Sequence, residues 1–342
     1  MERQWRGGVP GAPRRVLIVR ALFLGDLIVA TPALRALRRA WPLTEITLLG
    51  RPWAAEFAAR CPYLDRFQPF PGNPDDLADA AWDAVQAWAR AERFDLVLHW
   101  HGRLPPARVR LLGGRWTVGL CAGADCADLD LPVPYGAQHE TLRLLSTVRA
   151  LGLPADGVQP EFWLRPADLW LAEALLPPAA RGRPLVVLHP GARHPERAWP
   201  PERFAAVADW WARQGAVVAL VGGPADRPLS ERVRARARAP LIDLVGRTSL
   251  GLLGALVARA VLFIGNDSGP AHLATALRTP SVVIFRRCMV AEWAPLDRRR
   301  HRPLWGAGPC AACDRWAPGD HTCLLALSVE EVCRAAGSLA SF

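Results

Sequence analysis

The sequence predicts an α/β protein with two doubly wound parallel sheets. Short apolar runs, long enough for a buried strand, alternate with segments of helical periodicity in both halves of the 342-residue chain. Proline and glycine become frequent between Gly152 and Pro184, which indicates a hinge between two domains. Glycine-rich or charged turns follow directly after several strands, at the sheet edge where open α/β folds bind ligands. We therefore expect two sheets that face each other across a ligand-binding cleft.

The first half contains three short, mostly apolar segments that are predicted to be strands. These segments are residues 16–19, 46–49 and 96–99. Three helices are predicted between and after them, at 27–41, 78–91 and 140–150. We expect residues 1–14 to form a disordered basic extension and residues 15–165 to form the first doubly wound domain.

The second half repeats this alternation after the proline-rich segment. A short helix is predicted at 167–176, and we expect residues 166–184 to link the two domains. The second domain, residues 185–342, has predicted strands at 185–188, 217–221, 261–264 and 281–285. Helices are predicted at 201–213 and from Pro270 to Leu277, since proline suits the first turn of a helix.

Residues 261–273, VLFIGNDSGPAHL, form the most informative segment of the chain. A buried strand ends there in a glycine-rich turn that opens a helix, which leaves unpaired backbone N–H groups at the helix start. Those donors and the positive end of the helix dipole suit an anion such as phosphate. Asp267, at the carboxyl end of the strand, suits sugar hydroxyls. The alternative interpretation is that Asp267 or Ser268 only caps the helix.

A second candidate segment, Leu24-Gly25-Asp26, follows the first strand directly. Glycine lets a substrate approach the backbone, and a carboxylate at the carboxyl end of a strand is well placed to act as a base. A helix cap is the alternative role of Asp26, and on this segment alone it is the simpler one.

Three more turns of the second domain lie at or near strand ends. His189-Pro190-Gly191 follows the strand at 185–188. Arg197 precedes the Trp-Pro pair that opens the next helix and suits a diphosphate, although a lone arginine is usually solvated. Gly222 to Asp226 follows the strand at 217–221, and an acidic residue there is typical of a contact to ribose hydroxyls. Each of these turns is a weak indication by itself. Because all of them lie at or near the carboxyl ends of strands, together they indicate a ligand-binding site.

Composition excludes some classes of protein. A hydrophobic content of 51% excludes an intrinsically disordered chain. The net charge is +10, and all 42 positive side chains are arginines, which suits nucleic acid, anionic lipid or a phosphorylated substrate. The arginines are spread along the chain, which argues against a nucleic-acid-binding protein. No G-x-G-x-x-G segment opens either half, which argues against a nucleotide-dependent dehydrogenase.

No targeting segment is predicted, because Arg20 and Asp26 interrupt the apolar run near the N-terminus. There is also no uninterrupted apolar run of about 18 residues, the length that a membrane span requires. We therefore expect a cytoplasmic protein, with peripheral contact to the inner face of the cytoplasmic membrane as an option.

The eight cysteines do not indicate a secreted disulfide scaffold in a chain of this length. Cys310, Cys313 and Cys323 cluster with His321 near the C-terminus, a composition compatible with zinc, but the second ligand pair of common zinc motifs is missing. Free thiols or a local disulfide are the simpler interpretation.

Five segments in this order closely resemble the ADP-heptose:lipopolysaccharide heptosyltransferases of glycosyltransferase family 9. They are LGDLIVATPALRALR, HPGARHPERAWPPERFA, LVGGPADRPL, LVGRTSLGLLGALVARA and GNDSGPAHLATAL. The resemblance runs from about Arg15 to the C-terminus. It implies a GT-B architecture of two Rossmann-like domains, with the acceptor on the N-terminal domain and the nucleotide-sugar on the C-terminal one.

The resemblance also implies roles for individual residues. Asp26, in the LGD motif, would be the catalytic base, with Gly25 beside it near the acceptor. Arg103 belongs to no family motif and is expected near the acceptor because its charge suits an anion. Arg197 would hold the diphosphate and Asp226 the adenosine ribose. The implied donor-binding residues are His189, Gly191, Arg197, Asp226, Thr248, Asp267, Ser268, Gly269 and His272.

The implied reaction moves a heptose from ADP-heptose to an anionic glycolipid of the lipopolysaccharide inner core. It is an inverting single displacement that uses no metal and no other cofactor, and nucleic acid is not an expected partner. The family commonly has Gly-Pro-Thr after the strand at 281–285, whereas this chain has Arg286-Arg287-Cys288. These arginines either change donor choice and grip an additional phosphate or form a solvated loop. A related glycosyltransferase with another nucleotide-sugar is therefore the alternative.

Overall fold

A computed structural model describes residues 11–70, 79–102, 104–193, 198–314 and 321–340. The chain divides into two units, residues 1–160 and 161–342. Each unit contains a sheet of six strands, and the strands of both sheets pair in parallel. Parallel pairing needs long crossover connections, which explains the alternation of strands and helices along the sequence.

The first sheet is doubly wound. Its strands are β1 (Arg15–Val19), β2 (Glu45–Gly50), β3 (Arg66–Pro69), β4 (Leu96–His99), β5 (Trp116–Cys121) and β6 (Leu131–Pro134). The helices of this unit are α1 (Leu24–Ala40), α2 (Ala55–Ala58), α3 (Asp79–Glu92), α4 (Pro106–Arg110) and α5 (Glu140–Ala150). The strand order is β3-β2-β1-β4-β5-β6, which reverses direction between β1 and β4. Ligands bind at such a reversal in open α/β sheets.

The second sheet repeats this topology. Its strands are β7 (Leu185–His189), β8 (Val217–Leu220), β9 (Ile242–Asp243), β10 (Leu262–Asn266), β11 (Ser281–Ile284) and β12 (His301–Leu304). The longer helices are α6 (Pro166–Leu175), α7 (Pro201–Arg213), α8 (Arg227–Arg236), α9 (Leu250–Arg259), α10 (Gly269–Ala276) and α14 (Val329–Gly337). Three single turns complete the unit, α11 (Val290–Trp293), α12 (Ala311–Asp314) and α13 (Thr322–Leu325). The order β12-β11-β10-β7-β8-β9 places the reversal between β7 and β10.

Both faces of β7 are buried, as its apolar run predicts. Val186 and Leu188 lie in the core with residues of α7 and α14. Leu185 and Val187 lie in the opposite core with residues of α6, α9 and α10. Each such side chain contributes about 1.5–3 kcal/mol through burial. The strand that precedes the His-Pro-Gly turn is therefore anchored from both sides.

The predicted α/β class with two doubly wound parallel sheets is confirmed. Helices α5 and α7 and strand β4 have the predicted bounds. Five strands were not predicted, namely β5 and the four edge strands β3, β6, β9 and β12. Edge strands are covered on fewer sides, so they tolerate proline and charged residues and lack the continuous apolar run of a central strand.

The structure differs from the sequence prediction at residues 166–184, the expected linker. This segment forms α6 and a short 3₁₀ helix, Pro178–Ala180, within the second unit. Ala172, Leu176 and Ala180 are buried in the core that also contains residues of α9. Because these side chains pack on one unit only, the division between the units falls earlier, after Pro160.

The expected disordered extension ends sooner than predicted. Pro13 is buried, and its carbonyl accepts a hydrogen bond from Thr44 Oγ1 at 2.6 Å. The backbone N–H of Arg14 donates to Asp95 Oδ2 at 2.8 Å. These contacts fix residues 13 and 14 to the first sheet, while residues 1–10 lie outside the described part of the chain.

A disulfide joins Cys121, at the end of β5, to Cys126, which the sequence analysis did not predict. Within the described ranges, no helix combines the length and the apolar character needed to cross a bilayer.

Candidate functional site

The turns after β7 and β10 lie side by side, because the two strands are neighbours in the second sheet. His189, the last residue of β7, is buried and lies opposite Gly265 in the strand register. Ser268 follows β10 two residues beyond its end. The strand order reverses between β7 and β10, so both predicted donor-binding residues lie where a doubly wound sheet binds its ligand.

Ser268, His189 and Asp226 form a connected polar chain. Ser268 Oγ lies 3.0 Å from His189 Nδ1. His189 Nε2 lies 3.5 Å from Asp226 Oδ2. Asp226 Oδ2 also accepts a hydrogen bond from the backbone N–H of Gly223 at 2.8 Å. Three turns that the sequence analysis proposed separately therefore meet in one place.

The surroundings of Asp226 favour its charged form. Burial works against ionisation of this carboxyl, but the hydrogen bond and attraction of His189 and the N–H of Gly223 outweigh it. Together they hold the pKa of Asp226 below its ordinary value. The site thus presents a carboxylate, an acceptor suited to hydroxyl donors.

Gly191 has a structural reason to be glycine. A Cβ at this position would stand 2.2 Å from Asp226 Oδ1, closer than atoms can approach without displacement. The backbone of the His-Pro-Gly turn therefore reaches the Asp226 carboxylate only because Gly191 has no side chain.

Helix α10 begins directly after Asp267 and Ser268, with Gly269 as its first residue. Ser268 occupies the N-cap position but makes no side-chain cap hydrogen bond among the described residues. Its hydroxyl lies instead against His189 and 3.0 Å from the Asn266 carbonyl. Asp267 Oδ1 lies 3.6 Å from His272 Nε2, one turn further along α10. The capping alternative is therefore wrong for Ser268.

Asn266 is a buried residue of this site that the sequence analysis did not assign. Its Nδ2 donates to the Pro190 carbonyl at 2.8 Å, and its Oδ1 accepts from the Trp199 backbone N–H at 3.0 Å. Asn266 thereby joins the His-Pro-Gly turn to the segment that opens α7. A polar residue that ends an otherwise apolar strand was the available signal.

Thr248 lies between β9 and α9 and is partly buried. The backbone N–H of Gly246 in the same loop donates to the Gly222 carbonyl at 2.9 Å. Gly246 has a φ of +72°, a conformation that favours glycine. The loop of Thr248 is thus joined to the turn that carries Asp226.

Two predicted site residues, Arg197 and Arg103, lie outside the described part of the chain. Nothing in the geometry therefore tests their assignment to the diphosphate and to the acceptor.

Asp26 is the third residue of α1 in the first unit. Its Oδ2 accepts a hydrogen bond from the Phe23 backbone N–H at 3.1 Å, so the helix-capping role is confirmed. Its Oδ1 lies 3.9 Å from Arg20 Nη2, and the side chain is 18% exposed. Since the two oxygens have different neighbours, capping through one is compatible with chemistry at the other.

Arg20 follows β1 and is fully buried beneath Asp26. Its guanidinium donates to the Asp26 carbonyl at 2.8 Å, to the Trp100 carbonyl at 2.6 Å and to Glu140 Oε1 at 2.9 Å. Glu140 also pairs with the buried Arg143. The sequence analysis treated Arg20 only as an interruption of an apolar run. A charged residue directly after a buried strand was the signal for this network.

Two buried histidines at the end of β4 lie near the same network. Burial lowers the pKa of His99 to about 4. Burial, together with repulsion from His99 and Arg20, lowers the pKa of His101 to about 3. Both imidazoles are therefore neutral near pH 7.

Gly25, which the sequence places near the acceptor, is buried in the first turn of α1, beside Asp26.

Residues 89–315, more than half of the chain, match the model of glycosyltransferase family 9 (heptosyltransferase). The chain belongs to glycosyltransferase family 9. The matched range contains the second-unit residues described above and begins after Asp26. The family resemblance seen in the sequence is confirmed, and by homology the protein is a glycosyltransferase.

Individual proteins show the same likeness. Lipopolysaccharide heptosyltransferase 3 of Escherichia coli is 26% identical over 287 residues, which cover 80% of this chain and 84% of that protein. The family 9 glycosyltransferase of Veillonella parvula superposes with a TM-score of 0.84 at 22% identity, covering 97% of this chain and 99% of that one. E. coli ADP-heptose lps heptosyltransferase II gives a TM-score of 0.77 at 19% identity, with 95% and 98% covered. These superpositions support the GT-B type of α/β fold.

This family 9 chain uses the two arginines after β11 in contacts with the C-terminal segment. Arg286 Nη1 lies 3.1 Å from His321 Nε2, and Arg287 forms an ion pair with Asp314. Arg286 is therefore more than a solvated side chain, whereas the Arg287 pair is largely exposed and compatible with a solvated loop.

One cluster of side chains among the described residues has the composition of a metal site. It consists of Cys310, Cys313, His321 and Cys323, whose ligand atoms all lie within 4.8 Å of one another. The three thiols are free, so the local disulfide that the sequence analysis allowed is not formed.

Proposed function

We propose that this chain transfers a heptose from ADP-heptose to an anionic, lipid-linked acceptor of the lipopolysaccharide inner core. The observation that carries the proposal is the meeting of Ser268, His189 and Asp226 at the reversal of the second sheet. Membership of family 9 supports the reaction class. The names of the E. coli heptosyltransferases that resemble the chain support the donor and the class of acceptor.

The nucleotide part of the donor is assigned to the turns around Asp226. The Asp226 carboxylate, kept charged by His189 and Gly223, accepts hydrogen bonds from the ribose hydroxyls. The loop of Thr248, joined to the same turn, borders the adenine. Gly191 lets the backbone approach this region without a side chain in the way.

The diphosphate is assigned to the start of α10 and to Arg197. The first-turn N–H groups of α10 and its dipole carry partial positive charge near Gly269. Ser268, with its hydroxyl next to His189, supplies a further polar contact. Asp267 accepts from the sugar hydroxyls and is oriented by His272, 3.6 Å away.

The reaction is a single displacement that inverts the anomeric carbon. Asp26 accepts the proton of a hydroxyl group of the acceptor substrate. The oxygen of that hydroxyl forms the new bond to the anomeric carbon. The bond from that carbon to the diphosphate breaks, and its electron pair leaves with ADP. A general base of this kind is worth about 10²- to 10⁴-fold in rate. Arg197 and the α10 N-terminus stabilise the charge that develops on the leaving diphosphate.

We propose that this step needs no divalent cation. The second unit contains no Asp-x-Asp pair of the kind that bridges a metal to a nucleotide-sugar. The expected outcome is an initial rate that changes less than about twofold when Mg²⁺ is omitted during a short exposure to EDTA. A rate that collapses within that exposure and returns with Mg²⁺ contradicts this part of the proposal.

The acceptor is assigned to the first unit, around Gly25 and Arg103. An anionic acceptor suits a chain with a net charge of +10. Because this acceptor is anchored in lipid, the proposal implies contact of the protein with the inner face of the cytoplasmic membrane.

A second candidate function is transfer from a different nucleotide-sugar. The observation that favours it is the Arg286-Arg287 pair after β11, which stands where the resembling proteins commonly have Gly-Pro-Thr. Release of a nucleotide other than ADP would identify it.

The experiment measures nucleoside diphosphate release from ADP-, GDP- and UDP-sugars with heptose-deficient lipopolysaccharide core as acceptor. The wild type should release ADP from ADP-heptose only when the acceptor is present. The Asp26→Asn variant should lose about 10²-fold or more of that rate and still bind ADP.

Asp125→Asn is the matched control, because Asp125 is an exposed carboxylate of the same unit. It should keep the wild-type rate. Full activity of Asp26→Asn would remove Asp26 from the role of base, and acceptor-dependent release from another sugar would replace the donor.

A further inference from the structure

A cluster of four buried side chains lies near the end of the second unit, and none of its members is assigned to the reaction. It comprises Cys310, Cys313, His321 and Cys323, and we call it the thiol cluster. Each member is at most 4% exposed. Burial of single free thiols is common, but the convergence of three thiols on one buried imidazole is not explained by hydrophobic packing alone.

The distances within the thiol cluster are those of ligands around one ion. Cys313 Sγ lies 3.7 Å from Cys323 Sγ and 3.4 Å from His321 Nδ1. Cys310 Sγ lies 3.9 Å from the same nitrogen. With Zn–S bonds of about 2.3 Å and a Zn–N bond of about 2.0–2.1 Å, tetrahedral ligand atoms are separated by about 3.5–3.8 Å. Three of the six separations are thus within about 0.1 Å of this range, and all six are at most 4.8 Å, so small side-chain movements would bring the four groups around one ion.

The donor set selects a soft or borderline metal. Three thiolates and one imidazole form a common structural zinc site, and they are poor ligands for Mg²⁺ or Ca²⁺. The spacing Cys310-x-x-Cys313 lets two thiols reach one ion from a single turn of chain. Four protein ligands leave no open position for water or substrate.

We propose that the thiol cluster binds one zinc ion as a closed, structural site. The proposal is independent of the donor, the acceptor and the role of Asp26. The sequence alone favours free thiols or a local disulfide, because the second ligand pair of common zinc motifs is missing. The structure changes this expectation, since it brings the three cysteines and His321 together.

Arg286 supports this proposal through its charge. Three thiolates, a neutral imidazole and Zn²⁺ carry a net charge of −1, and the Arg286 guanidinium lies 3.1 Å from His321 Nε2. Metal binding at Nδ1 leaves the ring proton on Nε2, which is also a donor. The 3.1 Å contact in this structure needs the opposite tautomer, with Nε2 as acceptor, so it would have to break when a metal binds at Nδ1, and only the nearby positive charge favours the anionic site.

The contacts of the surrounding segment indicate what the ion stabilises. The Cys323 carbonyl accepts a hydrogen bond from the Gly306 backbone N–H at 2.7 Å. A few residues later, the Leu327 carbonyl accepts from Trp199 Nε1 at 3.1 Å and from Arg203. Trp199 is in turn held by Asn266 at the donor turn. The proposed ion thus fixes a segment that supports the donor site without contacting it.

The first measurement is the metal content of the full-length protein purified without chelator, by inductively coupled plasma mass spectrometry. We expect about one zinc ion per chain. Replacement of zinc by Co²⁺ should give a thiolate-to-cobalt charge-transfer band and the intense visible bands of a tetrahedral site. Because these readouts use the wild type, they do not depend on whether a variant folds.

Variants then test the ligands. Cys313→Ala should lose the metal, whereas Cys333→Ala should keep it, since Cys333 is a buried free cysteine of the same unit outside the thiol cluster. His321→Cys should retain a tetrahedral cobalt spectrum shifted toward four thiolates, and His321→Ala should bind at least about 10-fold more weakly.

Several results would overturn the proposal. These are wild-type protein that holds no zinc and gives no tetrahedral spectrum with Co²⁺, a Cys313→Ala variant with undiminished zinc, or an iron content that replaces zinc. A His321→Ala variant with unchanged affinity would also remove His321 from the ligand set.

Discussion

His189 contacts Ser268 through one ring nitrogen and faces Asp226 through the other. This arrangement fixes the orientation of the imidazole and connects two turns from different strands. Histidine with a hydrogen-bonding partner on each side cannot rotate without breaking one of these contacts. The residues assigned to the sugar phosphates and to the ribose are therefore coupled through one side chain.

Gly191→Ala should weaken ADP binding by about 10-fold or more, equivalent to ~1.4 kcal/mol. The added Cβ would stand 2.2 Å from Asp226 Oδ1, so the carboxylate must move from its position. Titration calorimetry with ADP measures the effect. Gly136→Ala is the control, since a Cβ there meets nothing within 4 Å. Unchanged affinity of Gly191→Ala would show that Asp226 does not contact the nucleotide.

Asp226→Asn should lower the free energy of unfolding at pH 7, and this difference should vanish in acid. The pKa of Asp226 is lowered in the folded protein, so the unfolded chain binds the proton more tightly. The stabilisation is complete above the unfolded value of about 3.9 and is lost as the pH falls through the lower folded value. Urea unfolding of both proteins from pH 7 to pH 2.5, about one unit below the unfolded value, measures the difference. A deficit that does not change with pH would mean that the charge is not the cause.

The buried ion network of the first unit joins three elements. Arg20 follows β1, its partner Trp100 follows β4, and Glu140 begins α5. Loss of Arg20 removes one of the two buried cations that pair with Glu140, Arg143 being the other, and leaves the Trp100 carbonyl without this donor. The network thereby holds the first turn of α1, which carries Asp26, against the ends of two strands.

Arg20→Met should destabilise the protein by about 3–5 kcal/mol in urea unfolding. The double variant Arg20→Met/Glu140→Gln should cost less than the sum of the single changes, because each single change already removes the Arg20–Glu140 contact. Arg232→Met is the control, since Arg232 forms an exposed pair with Glu202, and it should cost at most about 1 kcal/mol. Additive effects of the two buried changes would show that Arg20 and Glu140 do not act as a pair.

The second-unit site depends on how the elements are ordered. β7 and β10 are separated by more than 70 residues, yet they pair directly. Asn266 uses that adjacency to hold the Pro190 carbonyl and the Trp199 N–H together. A site of this kind exists only when the doubly wound order of the sheet is complete.

At the level of the whole molecule, the net charge of +10 affects how an anionic acceptor is captured. Initial rates with heptose-deficient lipopolysaccharide should fall as ionic strength rises from about 0.05 to 0.5 M, because salt screens long-range attraction. Binding of ADP, measured under the same conditions, should fall less, since its contacts are close and partly buried. Equal salt sensitivity of both would contradict a role for the overall charge in acceptor capture.

The sequence by itself determined the fold class and the positions of the central elements. Continuous apolar runs such as residues 185–188 are visible because both faces of a central parallel strand are buried. The ends of helices α5 and α7 could be predicted for a similar reason, because the amphipathic pattern of a helix stops where its side chains no longer pack against the core. The family and the strand-end turns followed from the same local patterns.

Only the tertiary structure decided which of these turns meet and which buried polar groups support them. Edge strands such as β6 and β12 were not predicted, because each is held by backbone hydrogen bonds to one neighbouring strand and needs no continuous apolar run. The sequence shows Arg20 and Asn266 only as polar residues at strand ends and Cys310 and His321 only as near neighbours in the chain, and the structure supplies their partners. The physical reason is that a hydrophobic pattern in the sequence shows which residues are buried but not which residues they contact. Hydrogen bonds between distant parts of the chain are therefore decided by the tertiary structure.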